Sequence, residues 1–394
     1  MQNLNELQTL LKQCLNVSWE KLPFVLQKYP APLRKMLIEQ IEGRKKIQHK
    51  IPSWQKISDL LFPATLSVEQ CSSEKTAFFK ANLLSGKTLI DLTGGFGVDT
   101  WAFAQTFEKV WYVEKNPDLF QITKHNFEVL GLTNVSLHNQ TAQDFLQNFH
   151  EKVDSIYLDP ARRDKQGKSI AQITDTEPNI LELLPQLFEK TEKILLKTSP
   201  MFEIKEALKI LPNVASVYVV SVQNECKEVL YLLQKNTQTQ WHNVPIHTYN
   251  LLENQTESFT ATYAKESELS VNLANTLSEY LYEPNSAILK AGFFKSIAER
   301  FALQKLHPHT HLYTHKEIIT DFAGRIFRVK KMLSNPQREL AEIGSKWNIL
   351  ARNYPLSVAE ICKKYKLQEG GNEFLIATTM QDNRKVLVWA ERIV

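Results

Sequence analysis

The stretch Thr88-Leu-Ile-Asp-Leu-Thr-Gly-Gly-Phe-Gly-Val-Asp-Thr100 restricts the possible folds more than any other part of the 394-residue chain. It reads as a short buried strand, a glycine-rich turn, and the first turn of a helix running through Trp101-Ala-Phe-Ala104. Glycines at 94, 95 and 97 leave the backbone bare where a ligand must come close, and they permit positive φ. A helix starting near Asp99 would aim its unbonded N–H groups over that turn. The next strand, Val110-Trp-Tyr-Val-Glu114, ends in a carboxylate twenty residues after Gly94. That is about the spacing of a ribose-binding acid in a nucleotide-binding βαβ unit.

The loop departs from the dinucleotide pattern. Gly95-x-Gly97 is followed by Val98, Asp99 and Thr100, so the third glycine of G-x-G-x-x-G is missing. Asp91, ending the strand before Thr93, puts a carboxylate where a pyrophosphate would be repelled and the ammonium of a methionine moiety welcomed. On these residues the loop resembles motif I of the class I S-adenosylmethionine (SAM) methyltransferases, and Glu114 resembles their motif II acid. A glycine turn of some other α/β enzyme is the alternative.

Strand and helix signals alternate through 86–235, the pattern of a doubly wound parallel sheet. Strands are expected at 88–92, 110–114, 135–138, 154–159, 193–197, 215–222 and 228–234. Helices are expected near 98–107, 117–130, 142–148, 178–190 and 201–211. Only Gln223-Asn-Glu-Cys-Lys227 separates the last two strands, which reads as a hairpin. Ligands of open α/β sheets lie outside the carboxyl ends of the strands. Asp91, Glu114, Asp144 and Asp159 all fall at or just past such ends. Asp144, in Thr141-Ala-Gln-Asp-Phe145, resembles the motif III acid that binds the adenine amine, or is simply an acid favoured by a helix N-terminus. Lys115 and Asn116 are candidates for ribose or adenine contacts.

The fourth strand ends Tyr157-Leu-Asp-Pro-Ala-Arg-Arg-Asp164. Base-amine methyltransferases carry Asp/Asn/Ser-Pro-Pro-aromatic here. Their acidic or amide oxygen and the next carbonyl accept the amine N–H groups and aim the nitrogen at the methyl donor, so that positioning supplies most of the rate. Asp159 and Pro160 match; Ala161 replaces the second proline, and Arg162 the aromatic residue. Arg162 can stack on a base or grip a phosphate, or pair internally with Asp164 or Glu177. Arg162, Arg163 and Lys165 (with Lys168) make a basic loop beside the expected site. An Asp-Pro-Pro-Arg variant occurs in uracil-C5 enzymes, but Ile194-Leu-Leu-Lys-Thr-Ser-Pro200 lacks the cysteine they need. Nitrogen methylation is therefore expected.

Residues 1–85 read as short helices cut by Pro23, Pro30 and Pro32, with an apolar stripe Leu4, Leu7, Leu10, Leu11, Cys14, Leu15. The run Arg44-Lys45-Lys46, with Lys50, could touch phosphate or end a solvated helix. Ser72 or Ser73 reads as the N-cap of a helix just before the first strand, letting Gln70–Ser73 cover a cofactor or act as a plain connector. Past 240 the reading is a polar stretch (247–270), a helix near 293–304, helices at 335–350 and 356–366, and strands at 373–379 and 384–390. His307-Pro-His-Thr-His311 reads as a surface turn rather than a metal site, and no metal is expected.

Charge is uneven. Residues 1–85 hold 12 basic against 7 acidic side chains, 86–240 hold 16 against 20, and 290–352 hold 12 against 5. Basic flanks around an acidic centre suit a polyanionic substrate, or are ordinary solvated faces. No apolar run approaches the ~20 residues that span a membrane. The N-terminus lacks the layout of a signal peptide. The four cysteines (14, 71, 226, 362) show neither metal nor redox spacing, so a cytoplasmic chain without disulfides is expected.

Four segments together carry a wider resemblance: Glu69-Gln-Cys-Ser-Ser-Glu74, Asp91–Asp99, Tyr157–Arg163 and Gly370-Gly-Asn-Glu-Phe-Leu-Ile-Ala-Thr-Thr379. The chain resembles bacterial class I SAM methyltransferases with a ferredoxin-like insert and a C-terminal THUMP-like domain. The resemblance implies an α/β fold: a helical domain (1–85), a Rossmann-like SAM-binding domain (86–240), a ferredoxin-like α+β domain (241–325) and a THUMP-like domain (326–394). It implies SAM as cofactor, held by Asp91, Thr93, Gly94, Gly95, Gly97, Val98, Asp99, Glu114, Lys115, Asn116 and Asp144. Asp159, Pro160 and Arg162 would be catalytic, and Arg162, Arg163 and Lys165 would bind substrate. The implied activity is methylation of a base nitrogen, guanine N2 or similar, of tRNA or rRNA. The nonstandard Asp-Pro-Ala-Arg leaves open a non-catalytic SAM- and RNA-binding protein, and a small-molecule or protein methyltransferase is the third reading.

Overall fold

The computed structural model describes residues 4–15, 17, 21–63, 65–161 and 173–393. The chain forms two compact units, Met1–Glu203 with Lys209–Val214 and Leu230–Gln238, and Ile204–Leu208 with Ala215–Val229 and Thr239–Val394.

The first unit opens on helices Leu4–Leu15, Leu22–Leu26, Ala31–Ile47, Pro52–Gln55, Thr65–Gln70 and Glu74–Leu83. Leu11, Cys14, Leu22, Leu26, Leu37, Ile41 and Leu61 form their shared core. Much of the basic run serves this packing. Arg44 donates to the carbonyls of Ile57 (3.0 Å), Ser58 (2.8 Å) and Leu60 (3.0 Å), Lys46 pairs with Glu69, and Lys50 donates to Val68 O (3.0 Å).

Five parallel strands follow: β1 (Thr88–Asp91), β2 (Lys109–Val113), β3 (Val135–His138), β4 (Ser155–Leu158) and β5 (Lys193–Thr198). Their order is β3-β2-β1-β4-β5. β4 and most of β5 are buried throughout, as expected of central parallel strands covered on both faces. Helices Val98–Phe103, Pro117–Val129, Ala142–Asn148 and Ile180–Lys190 alternate with the strands, close to the sequence-based ranges.

β6 (Val214–Val222) and β7 (Glu225–Gln234) are joined by Gln223 and Asn224, at φ 50° and 62°. Left-handed backbone at both positions is what a two-residue hairpin loop demands. β8 (Ile246–Leu251) runs parallel to β6, and β9 (Thr256–Ala261) antiparallel to β8. The polar stretch 247–270 therefore contributes two strands that sequence reading missed, completing the order β5-β7-β6-β8-β9. Burial alternates along β8, with Ile246, Thr248 and Asn250 inward, and the two polar ones are met by Phe259 O and Glu257.

The second unit also holds β10 (Tyr280–Pro284), β11 (Gln304–His307), β12 (Thr310–His315), β13 (Gly324–Met332), β14 (Lys346–Arg352), β15 (Gln368–Thr379) and β16 (Lys385–Arg392). These form a seven-stranded sheet in the order β11-β12-β10-β13-β16-β15-β14. The helix expected at 335–350 stops at Ile343, and β14 replaces its second half. Gly344 ends the helix, and burial of Trp347 and Ile349 restores the period of two. The histidine-rich turn is the β11–β12 hairpin. His307 is buried with Nε2 at 3.2 Å from Asn383 Oδ1, and His311 stacks on Phe294 with ring centres 3.6 Å apart.

Candidate active site at the strand ends

Two of the three loop glycines are dictated by packing. A Cβ at Gly94 would fall 2.1 Å from the Tyr112 ring, and one at Gly97 2.6 Å from Thr123. Gly95 differs: it sits at φ +56°, and a Cβ there would meet nothing nearer than Thr93 O at 3.7 Å. Its open side is the bare backbone expected of a ligand cradle. Its carbonyl accepts from Tyr112 Oη (2.6 Å) and Thr123 Oγ1 (3.1 Å), so β2 and the helix Pro117–Val129 hold the turn.

Glu114, just past β2, closes the loop from the other side. One oxygen accepts from Gly95 N (2.9 Å) and the other from Asn116 N (2.7 Å). Asn116 caps the helix Pro117–Val129, accepting from Asp118 N and Leu119 N, and Lys115 pairs with Glu177 at 2.6 Å. Asp144 is exposed and accepts from Thr141 Oγ1 (2.7 Å), while its own N–H bonds that hydroxyl (3.1 Å). It sits past β3 in the first turn of the helix Ala142–Asn148.

Asp91 faces inward rather than into an open crevice. It is fully buried, with Thr100 Oγ1 donating to one oxygen (2.6 Å) and Thr93 N to the other (3.1 Å). Burial pushes its carboxyl up to about 7 against the bond from Thr100. Asp99 likewise turns away from the glycines. It accepts from Ser72 Oγ (2.9 Å) and Tyr157 Oη (2.8 Å), and Lys80 Nζ stands 3.2 Å away. Burial would raise its carboxyl, but the ammonium groups of Lys80 and Lys197 hold it below the ordinary value. Val98 is buried beside it. Ser72 thereby ties the segment before the Glu74–Leu83 helix to the turn after the glycines, and Ser73 caps that helix through Thr76.

Asp159 follows β4. Its N–H donates to Thr93 Oγ1 (2.6 Å), which pins the end of β4 to the glycine loop after β1. Its carboxylate, 35 % exposed, pairs with Lys197 of β5, which is only 11 % exposed. Pro160 is buried, and Ala161 exchanges backbone bonds with Glu177 (2.8 and 3.2 Å). Arg162, Arg163 and Lys165 lie outside the described residues. Lys80 and Lys197 are the site residues that sequence reasoning passed over. Lys197 has a visible signature, a lysine closing the apolar run Ile194-Leu-Leu196 within a buried strand. Lys80 sits in a helix with no clear apolar face.

A parallel sheet with a glycine turn after its first strand and acids past the next strands defines the class I methyltransferase architecture. Family models agree: residues 71–212 match Conserved hypothetical protein 95, 280–322 a ferredoxin-like domain and 324–392 a THUMP domain-like model. A crystal structure from Porphyromonas gingivalis W83, described as a "putative methyltransferase", is 32% identical with a TM-score of 0.89, covering 100% of this chain and 99% of that one. The "Probable cobalt-precorrin-6B C(15)-methyltransferase (decarboxylating)" of Sulfurisphaera tokodaii is 30% identical over 135 residues, 30% of this chain and 70% of that protein. The chain belongs to the class I SAM methyltransferases that carry C-terminal ferredoxin-like and THUMP-like domains.

Proposed function

We propose that this protein transfers a methyl group from SAM to a base nitrogen, guanine N2 or a similar amine, of tRNA or rRNA. The observation that carries the reading is the bond from Asp159 N to Thr93 Oγ1, which joins the acceptor-site acid to the glycine loop within one unit. The residues fit the cofactor: Gly95 offers bare backbone, Glu114 stands against it with a carboxylate suited to ribose hydroxyls, and Asp144 sits past β3. Thr93, Gly94, Gly97, Val98, Lys115 and Asn116 shape or flank that cradle, and Asp91 and Asp99 brace it from inside. When bound, SAM supplies an electrophilic methyl group.

The protein's task is then orientation. The Asp159 carboxylate and the Pro160 carbonyl accept the amine N–H groups and aim the nitrogen lone pair, the near-attack placement that supplies most of the rate. Lys197 fixes the Asp159 carboxylate. Arg162, Arg163 and Lys165 are proposed to grip the RNA. The THUMP-like match and the basic excess in 290–352 support RNA as the substrate. The four cysteines, all unpaired, suit the reducing cytoplasm.

Calorimetry with S-adenosylhomocysteine, followed by nucleoside mass spectrometry of RNA from a deletion strain, tests the reading. Asp159→Ala should abolish transfer and leave S-adenosylhomocysteine affinity near wild type; equal activity in that variant removes Asp159 from the assignment. Likeness to the cobalt-precorrin enzyme favours a second reading, methylation of a small molecule. It predicts tight S-adenosylhomocysteine binding with no salt-dependent RNA affinity.

A further inference from the structure

In the seven-stranded sheet β10 and β14 stand four steps apart, about 19 Å in a flat sheet at the usual strand spacing. Yet Arg352 Nε, at the end of β14, lies 2.7 Å from Glu283 Oε1 on β10. The sheet therefore curls until its far strands meet. Asn353 makes a second such link, donating to Thr310 Oγ1 on β12 at 3.0 Å.

Glu283 is 2% exposed at this closed end, and its other oxygen pairs with Arg325, its register partner on β13. Two guanidinium groups thus share one carboxylate and leave one positive charge over. Both reach the surface, with side chains 22% and 40% exposed. Their donors are not used up. Arg325 Nε is buried without a partner, and neither Arg325 Nη1 nor Arg352 Nη2 bonds any described residue. Thr378, fully buried and paired with Arg352 in the β14–β15 register, has a hydroxyl with no partner. The buried Arg325 Nε and Thr378 hydroxyl lie out of reach of a ligand, whereas the free Nη groups of Arg325 and Arg352 are open to one. What remains is one free Nη group on each arginine, the two held on the two oxygens of one carboxylate, so that each can donate to one of the two free oxygens of a phosphodiester from a planar, always charged guanidinium.

We propose that Arg325 and Arg352, braced on Glu283, form a phosphate-binding fork that takes a phosphodiester of the RNA substrate; that the phosphate belongs to RNA rests on the function proposed above. The brace does two things. It removes the rotamer freedom both side chains would otherwise lose on binding, and it stops the two cations from repelling each other apart.

The test uses full-length protein, a fluorescein-labelled hairpin RNA read by anisotropy from 50 to 200 mM KCl, and inorganic phosphate read by 31P line width. In E283Q/R325Q/R352Q all three charges go together, so no buried ion is orphaned. RNA affinity should fall about tenfold or more at low salt, the log–log salt slope should shrink by about one, and phosphate broadening should vanish. R325K/R352K keeps the charges but not the forks, and should weaken RNA binding at an unchanged slope; it decides the matter if the triple variant does not fold. Binding of S-adenosylhomocysteine should be unaltered in both. Wild-type binding of RNA and phosphate by these variants overturns the fork. Loss of phosphate binding with RNA affinity intact keeps the fork and removes RNA as its ligand. Phosphate binding by a wild-type protein that binds no RNA keeps the fork and sinks the proposed RNA substrate.

Discussion

Buried carboxylates occur in both units, and their partners differ. Near the ends of β1, β4 and β5, Asp99 and Asp159 pair with two lysines, Lys80 and Lys197, one of them wholly buried, while the buried Asp91 accepts from Thr100 and Thr93. At the closed end of the second sheet, a single Glu283 meets two arginines that reach solvent. In the first place positive charge is consumed by the protein's own acids, and a site rich in oxygen acceptors remains. That is what the proposed transfer from a cationic cofactor to an amine requires. In the second, charge and N–H donors are left over. The lesson is that the acid-to-base ratio within a buried cluster, more than the net charge of a domain, decides what a region has to offer.

The sharpest way to break this contrast is Lys80→Met. It strands the Asp99 charge in a dry place, and should lower the unfolding free energy by about 3–5 kcal/mol. Urea denaturation followed by circular dichroism measures it; a loss under about 1 kcal/mol would mean that Ser72, Tyr157 and Lys197 hold Asp99 without Lys80. Next in size is a pH effect at Asp91. Its folded-state value of about 7 stands above the unfolded one. Between those values the folded chain keeps a proton that the unfolded chain has released, so this group's contribution to stability falls as pH rises. Asp91→Asn retains the geometry if the Thr100 hydroxyl reverses. The variant should gain on wild type by about 3 kcal/mol between pH 5 and 8. A gap independent of pH would place the ionised carboxylate in a better-solvated setting than its burial indicates.

Glu283→Gln should cost least, on the order of 1 kcal/mol, because both arginines can turn to water where Asp99 cannot. A loss as large as that of Lys80→Met would erase the difference between the two clusters. It would mark the arginines as structural, with no charge to spare.

The parallel sheet was largely legible in the sequence, and the curled one was not. β1, β2, β4 and β5 are each dominated by a short apolar run bounded by polar turns, and helical segments alternate with them. β8 and β9 escaped notice because a half-exposed strand near a sheet edge is allowed many polar residues. The helix expected at 335–350 failed at Gly344, where Trp347 and Ile349 satisfy a three- to four-residue period only until alternate residues are asked where they point. Of the site, the acids past the strands could be named from position alone. Their partners could not, since Asp99 to Ser72 and Asp159 to Lys197 span 27 and 38 residues of chain.

By itself the sequence determined the order of strands and helices around the glycine turn, the bare backbone of that turn, and the presence of a carboxylate at or past each of four strand ends. These depend on local backbone conformation and on periodic burial, and both are written into consecutive residues. Tertiary structure alone decided that Asp91 and Asp99 face inward, that Lys80 and Lys197 answer Asp99 and Asp159, and that Arg352 arrives at Glu283 across the three strands between them. Charges find their partners through space, and a curled sheet brings together side chains whose separation along the chain carries no record of the meeting.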